Sequence, residues 1–250
     1  MLAAFVFAVL GAIAGSFAGA VSERLYTGQS WFSGRSACDA CGTQLAPRDL
    51  VPIISWLFSG GRCRFCGAVL SPRYLIVESI AAAIFVFSYR TIGLSLALPF
   101  LLVALTLLFI IVLYDLRHTI IPYGLSALLG AVSFIYFVLT VENGEQAGLT
   151  LFLGGLFALA FLALHVFSRG RAMGLGDAPL VLFLSLLAEG QAFAGLLFSF
   201  WIGAVIGIVI LVRAPRGARI GIEVPFAPFL AAGFLLALFI PWNPLIWLAS

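Results

Sequence analysis

Two aspartates that border long apolar stretches are the residues of this sequence with the clearest chemistry. Asp177 lies in the segment MGLGDAPL, and Asp115 lies in LYDLRH. Two carboxylates that share one proton can divide the work of peptide hydrolysis, because one deprotonates water while the other protonates or polarises the carbonyl. Gly174 and Gly176 fit such a site, since residues without side chains permit irregular backbone and the close approach of a substrate strand where the helix starts.

Four cysteines form a second group with a recognisable spacing. Cys38 and Cys41 make one CxxCG segment, Cys63 and Cys66 make another, and 21 residues separate the two pairs. Four thiolates spaced in this way are typical of a tetrahedral zinc site with no open position, which is a structural rather than a catalytic site. Two disulfides or a redox dithiol are the alternatives. The arginines on either side of Cys63 are expected to lower thiolate pKa values.

The composition indicates which kind of fold positions these residues. With 63% hydrophobic and 9% charged residues and a mean hydropathy of +1.19, the chain cannot form one water-soluble core, so we predict an all-α polytopic membrane protein. A spanning helix needs about 20 apolar residues, and we count about eight such runs. The runs are 2–22, 74–90, 94–114, 119–141, 147–167, 176–189 with its flanks, 191–212 and 225–248.

The arginines predict the orientation, because positive charge is retained in cytoplasmic loops. With eight spans and the N-terminus outside, every arginine except Arg90 falls on the inner side. These inner arginines are Arg24, Arg35, Arg48, Arg62, Arg64, Arg73, Arg117, Arg169, Arg171, Arg213, Arg216 and Arg219. The net charge of +3 therefore indicates topology and attraction to anionic lipid rather than nucleic-acid binding.

This topology places both aspartates at the cytosolic edge of the membrane. Asp115 closes the third run and Asp177 opens the sixth, and ionisable residues at such depths tend to be functional. Simpler roles stay open here. An aspartate at a helix start is often a cap, and Asp115 could form an interfacial ion pair with Arg117.

The predicted organisation has three parts. Residues 1–22 form the first transmembrane helix, which we expect to be retained, and 74–250 form a seven-helix membrane domain. Between them, 23–73 is a cytosolic four-cysteine segment, so small that a metal would supply much of its folding energy. In the first helix, glycine recurs at positions 11, 15 and 19, which predicts a face that another helix approaches closely.

Several motifs, in this order, resemble those of the type IV prepilin peptidase family. They are GSF (15–17), ERL (23–25), the paired CxxC with VPIISWLFSGGRC between them, SPRYLIVE (71–78), YDLRHTIIP (114–122), GLGD (174–177) and VPFAPFLA (224–231).

The resemblance implies a GxGD-type aspartic endopeptidase of the bacterial inner membrane, with Asp115 and Asp177 as its catalytic pair. Its substrates would be prepilins or pseudopilins of type IV pili or type II secretion systems, cut after a short basic leader at the cytosolic face. Many members also methylate the new N-terminus with S-adenosylmethionine.

Two other functions share the paired aspartates. A presenilin-like GxGD intramembrane protease also combines a YD segment, a GLGD segment and a later proline motif, but the four-cysteine insertion argues against it. A proton-coupled transporter could use Asp115 and Asp177 as proton carriers.

Overall fold

A computed structural model describes residues 1–28, 36–38, 40–213, 224–240 and 242. The chain divides into two compact units, Met1–Leu94 and Ser95–Ser250. Within the described residues the regular secondary structure is helical, with two isolated β-bridges. The all-α architecture predicted from the sequence is therefore confirmed, and the division at residue 73 stays a prediction.

Nine α-helices occur in the part of the chain that the structure describes. They are α1 (Leu2–Thr27), α2 (Ile54–Phe58), α3 (Arg73–Ile92), α4 (Leu98–His118), α5 (Tyr123–Thr140), α6 (Gly144–Ser168), α7 (Asp177–Ala188), α8 (Ala192–Arg213) and α9 (Ala227–Phe239). All except α2 coincide with one of the eight predicted apolar runs.

Six helical stretches among the described residues are long and apolar enough to cross a membrane. One of them, Asp177–Arg213, contains both α7 and α8, and α9 is shorter. The 12 residues of α7 extend only about 18 Å, which is less than the hydrocarbon thickness of about 30 Å. A polytopic membrane protein is thus supported, whereas the count of eight crossings stays a prediction.

The chain turns between α7 and α8 at Glu189, which has a positive φ of 49°. Its carboxylate accepts a hydrogen bond from the hydroxyl of Thr140, the last residue of α5. It also accepts one from Gln146 Nε2, in the first turn of α6, at 2.9 Å. Glu189 therefore connects the ends of three helices at the point where α7 stops.

In the first unit, α1 and α3 pack through small residues. A Cβ on Gly11 would lie 2.8 Å from Ala82 Cα, and a Cβ on Gly15 would lie 3.0 Å from Glu78 Cα. Both distances are too short for an ordinary contact, so the absence of a side chain permits this approach. A Cβ on Gly19 would meet nothing within 4 Å. The predicted face is therefore confirmed at two of its three glycines.

Gly11→Leu is expected to destabilise the first unit, because the new side chain must displace the backbone of α3. Overpacking of this kind costs about 1–3 kcal/mol. Thermal unfolding in detergent micelles should show a lower midpoint for Gly11→Leu. Gly19→Leu is the matched control and should unfold close to the wild-type temperature, and equal midpoints for the two variants would contradict the packing described.

In the second unit, α7 is the most enclosed helix, since nine of its twelve residues are buried. It packs against α5, α6 and α9. Glycines in two neighbours make room for it. A Cβ on Gly130 of α5 would lie 2.6 Å from Phe183 Cζ, and one on Gly154 of α6 would lie 3.0 Å from Leu182 Cδ1. This packing fixes the position of Asp177 at the start of α7.

Candidate active site and metal centre

Asp115 lies in the last turn of α4 and is buried, with 4% of its surface exposed. Its carboxylate accepts a hydrogen bond from the backbone N–H of Ala227, the first residue of α9. The other oxygen, Oδ2, is shielded from solvent and has no hydrogen-bond partner among the described residues. A buried polar atom of this kind is rare unless it has a function or binds water.

Asp177 is the first residue of α7 and is 6% exposed. Its Oδ2 accepts the backbone N–H of Gly174 at 3.1 Å, and its own N–H donates to the Gly174 carbonyl at 3.3 Å. The GLGD segment thus folds into a turn that holds the carboxylate.

Close contacts leave little room for a side chain on either glycine of this turn. A Cβ on Gly174 would lie 3.2 Å from Asp177 Oδ2, and one on Gly176 would lie 2.8 Å from the Cβ of Ile121. Ile121 is buried in the segment between α4 and α5. The close contact at Gly176 is with the chain just after α4, and the approach of a substrate strand to these glycines stays a prediction.

The structure brings the two predicted aspartates together. Asp115 and Asp177 interact electrostatically, although they come from different helices. Both are buried, and each retains one backbone hydrogen bond, from Ala227 and from Gly174 respectively. Two buried carboxylates that interact in this way can differ in protonation state, and acid–base catalysis by an aspartate pair requires such a difference.

The contribution of α9 was not predicted. The segment VPFAPFLA entered the sequence analysis only as one motif of the resemblance. Pro228 lies in the first turn of α9, where its missing N–H costs nothing. The backbone N–H groups of a first turn have no partner within the helix. Ala227 directs one of them to Asp115. Local sequence marks the helix start but cannot show which carboxylate lies beside it.

His165 positions the chain that leads into the GLGD turn. Its Nδ1 lies 2.9 Å from the carbonyl oxygen of Met173, and its own carbonyl accepts the N–H of Gly170 at 2.8 Å. The sequence assigned this residue no role. In the structure His165 contacts the segment between α6 and α7 at two points, Gly170 near its start and Met173 near the GLGD turn.

The four cysteines converge in the first unit. Their sulfur atoms all lie within 4.8 Å of one another, and those of Cys38 and Cys66 are 3.9 Å apart. Four sulfurs at about 2.3 Å from a tetrahedral zinc would be about 3.8 Å from each other. All four cysteines are free. The predicted cluster is therefore present, and it can hold a metal ion.

The two CxxCG segments fold alike. The N–H of Gly42 donates to the Cys38 carbonyl at 2.8 Å, and the N–H of Gly67 donates to the Cys63 carbonyl at 2.9 Å. Both glycines have a positive φ, at 69° and 71°. A short antiparallel bridge flanks each turn. Each segment thus presents its cysteine pair in the same way, which suits a shared ion.

The thiols of the cluster differ in their acidity. Hydrogen bonding to Thr43 lowers the pKa of Cys41 to about 6. Backbone hydrogen bonds from Cys66 and Phe65 lower the pKa of Cys63. The pKa of Cys66 is raised to about 11 despite a hydrogen bond from the Ala68 backbone, because desolvation and the neighbouring sulfur atoms disfavour another negative charge. A cation bound among the four sulfur atoms would favour their thiolate forms.

The lowered pKa predicted for a thiol beside the arginines is present at Cys63, but its cause is different. The pKa of this cysteine is lowered by backbone N–H groups. Arg64 instead forms an ion pair with Asp49, with 3.1 Å between Nη2 and Oδ1. Asp49 also accepts the backbone N–H of Ala46 at 3.2 Å. The pair therefore links the second CxxCG segment to the short 3-10 helix Pro47–Leu50.

The fold and site define a helical membrane protein with a buried aspartate pair and a four-cysteine cluster. Residues 9–92 match the family model described as the bacterial peptidase A24 N-terminal domain. The chain is 34% identical over 221 residues to the prepilin leader peptidase/N-methyltransferase of Myxococcus xanthus, covering 86% of this chain and 65% of that protein.

It is also 30% identical over 235 residues to the prepilin leader peptidase/N-methyltransferase of Bacillus subtilis, covering 92% of this chain and 91% of the relative. No solved structure matches the chain. The chain belongs to the prepilin leader peptidase/N-methyltransferase family.

Proposed function

We propose that this protein is a membrane aspartic endopeptidase that removes the short basic leader from type IV prepilins or pseudopilins. The observation that carries the proposal is the buried pair formed by Asp115 and Asp177. The curated relatives are named as prepilin leader peptidases, which supplies the substrate class.

The catalytic step follows from the chemistry of paired carboxylates. One aspartate, in its ionised form, takes a proton from a water molecule that attacks the scissile carbonyl. The other, in its protonated form, donates a hydrogen bond and then the proton to the substrate. The Oδ2 of Asp115 has no hydrogen-bond partner among the described residues, so its capacity to accept a hydrogen bond is unused. The backbone N–H groups of Ala227 and Gly174 hold the carboxylates in place.

The four-cysteine cluster is proposed to bind Zn²⁺ as a structural ion. Cys38, Cys41, Cys63 and Cys66 supply four ligands, so no position remains for a substrate. The arrangement of sulfurs fits the tetrahedral geometry that zinc adopts in proteins. The ion would stabilise the fold of the segment between α1 and α3.

The protein is proposed to reside in the bacterial inner membrane with the aspartate pair and the cysteine cluster on the cytosolic side. The distribution of arginines supports this orientation, since twelve of the thirteen fall on one side of the predicted topology. A prepilin leader, which is basic, would be retained on the same side.

N-methylation of the new N-terminus with S-adenosylmethionine is the second proposed activity. It is supported by the names of the relatives, which include N-methyltransferase. Presenilin-like proteolysis and proton transport are not proposed, because the family and the four-cysteine cluster point to prepilin processing.

Mass spectrometry of a prepilin co-expressed with this protein tests both activities. We expect the leader to be absent and the mature N-terminus to carry the additional mass of one methyl group. An intact leader would contradict the peptidase. A correct cut without the added mass would contradict the methyltransferase alone.

A further inference from the structure

The short helix α2 has an apolar face that no described part of the chain covers. Phe58 is 88% exposed, Leu57 is 59% exposed, and Ile54 is exposed as well. Residues three and four positions apart lie on the same side of a helix, so the three side chains form one surface. Ser55 and Trp56 lie on the other side and line a cavity within the first unit. We call Ile54, Leu57 and Phe58 the α2 apolar face.

The exposed apolar surface continues into the chain before α2. The 3-10 helix Pro47–Leu50 packs against α2, and both Leu50 and the following Val51 are exposed. Contiguous exposed apolar surface usually marks a contact with another protein or with a membrane. The position of α2 along a spanning helix, and the charges beside it, decide between these two partners.

A hydrogen bond fixes the level at which α2 begins. The N–H of Ile53, the residue before α2, donates to Glu78 Oε2 at 2.6 Å. Ile53 has φ 62° and ψ −53°, and the N–H of Ile54 donates to the Pro52 carbonyl at 2.6 Å, so the chain reverses there in a γ-turn. Glu78 is the sixth residue of α3, about 8 Å along the helix axis from its start. The start of α2 is therefore held beside the second turn of α3.

The second turn of α3 belongs to the surface region of a bilayer. The 20 residues of α3 extend about 30 Å, which only just matches the hydrocarbon thickness. A helix of this length that spans the membrane places its first turns where headgroups meet acyl chains. Ile76 and Ile80, on either side of Glu78 in the sequence, are exposed, which suits contact with lipid. The α2 apolar face thus begins at the level of the membrane interface.

Exposed arginines border the α2 apolar face along the chain. Arg48 lies in the 3-10 helix before α2, and Arg62 lies four residues after the end of α2. Both are exposed. Guanidinium groups close to a membrane surface are attracted to anionic lipid headgroups. Apolar side chains flanked by basic ones are typical of helices that lie in the membrane interface. The depth and the charges together favour lipid over a protein partner.

We propose that α2 is an interfacial anchor, whose apolar face inserts into the membrane while Arg48 and Arg62 meet anionic phospholipid headgroups. The ends of the cysteine-bearing segment are already tethered by α1 and α3, which are both long and apolar enough to span the membrane. The anchor adds a contact between these tethers and holds the segment against the bilayer surface. This role is independent of leader removal and of methylation.

The test measures what surrounds position 58. The full-length protein is placed in nanodiscs of phosphatidylcholine and phosphatidylglycerol. Phe58 is replaced by a ketone-bearing phenylalanine analogue that carries a nitroxide, so the cysteines are not modified. Electron paramagnetic resonance then gives the collision rates of the label with oxygen, which concentrates in lipid, and with a water-soluble nickel chelate. The same label in place of Ile80 gives the lipid reference, and in place of the exposed Glu142 the water reference.

We expect the ratio of oxygen to nickel collisions at position 58 to exceed the water reference at least about tenfold and to approach the lipid reference. A ratio equal to the water reference would overturn the proposal, because α2 would then lie in solvent. Slow collisions with both reagents would also overturn it, since protein would then cover the face. Broadening of the spectrum by a neighbouring label would in that case identify a second copy of the chain as the partner.

Leu57→Glu tests whether the apolar face itself holds α2 in the membrane. Because this side chain is 59% exposed, the fold should accept the charge, and an unchanged thermal midpoint in detergent would verify this. With the label at position 58, the collision ratio should fall at least about fivefold towards the water reference, since a charge disfavours insertion. Leu57→Met is the matched control and should keep the original ratio. A ratio that stays lipid-like in Leu57→Glu would contradict anchoring through this face.

Discussion

Asp177→Asn is expected to reduce the rate of leader removal by about 10²–10⁴-fold, the range over which acid–base groups usually contribute. The amide keeps the size of the side chain and an oxygen for the Gly174 N–H, but it cannot hold the shared proton. Asp115→Asn should lose a similar factor. The measurement is the rate of cleavage of a purified prepilin in detergent micelles.

The double variant Asp115→Asn/Asp177→Asn provides a sharper test of the pair. Because the two residues act as a unit, the double variant should be no slower than either single variant. Glu142→Gln, which alters an exposed carboxylate, should cleave at the wild-type rate. Near-wild-type activity in either single variant, or losses that multiply in the double variant, would contradict a shared-proton mechanism.

Cys63→Ser is expected to abolish metal binding and unfold the segment between α1 and α3. Structural zinc contributes about 10–16 kcal/mol in small zinc-dependent peptides, which is more than a segment of this size can replace by burial. Metal analysis of the purified protein should give one zinc ion per wild-type chain and close to none in the variant.

Limited proteolysis supplies the readout of folding for the same variant. Cleavage should be rapid between residues 36 and 72 in Cys63→Ser and slow in wild type. Val69→Thr is the matched control, because Val69 is 76% exposed and contributes no sulfur. Wild-type protein that contains no metal yet resists proteolysis would show that the four thiols serve another purpose.

The helices of the membrane region could be predicted because each follows a continuous apolar run. The residues at which these helices end were predicted less accurately. The third run was expected to end at residue 114, but α4 continues to His118, and Thr119 ends it with a positive φ of 54°. Asp115 consequently lies inside the last turn rather than beyond it. Apolar content marks the lipid-facing length of a helix and not its polar last turn.

The separate parts of the candidate site were predictable, but the contacts among them were not. Asp115, Asp177 and the four cysteines stand out because charged and metal-binding residues are few in so apolar a chain. The Ala227 N–H beside Asp115 depends on how α9 packs, which no local pattern encodes. The short helix α2 was likewise missed. Five residues are too few to show a helical period.

The enclosure of α7 affects how the protein responds to its lipid environment. A helix walled by α5, α6 and α9 has little lipid contact, so hydrophobic mismatch acts mainly on longer helices such as α4 and α6. Those helices can tilt in a thicker or thinner bilayer while α7 stays with its neighbours. Its sequence is thus free of the length requirement that governs a spanning helix, and is constrained by side-chain volume instead.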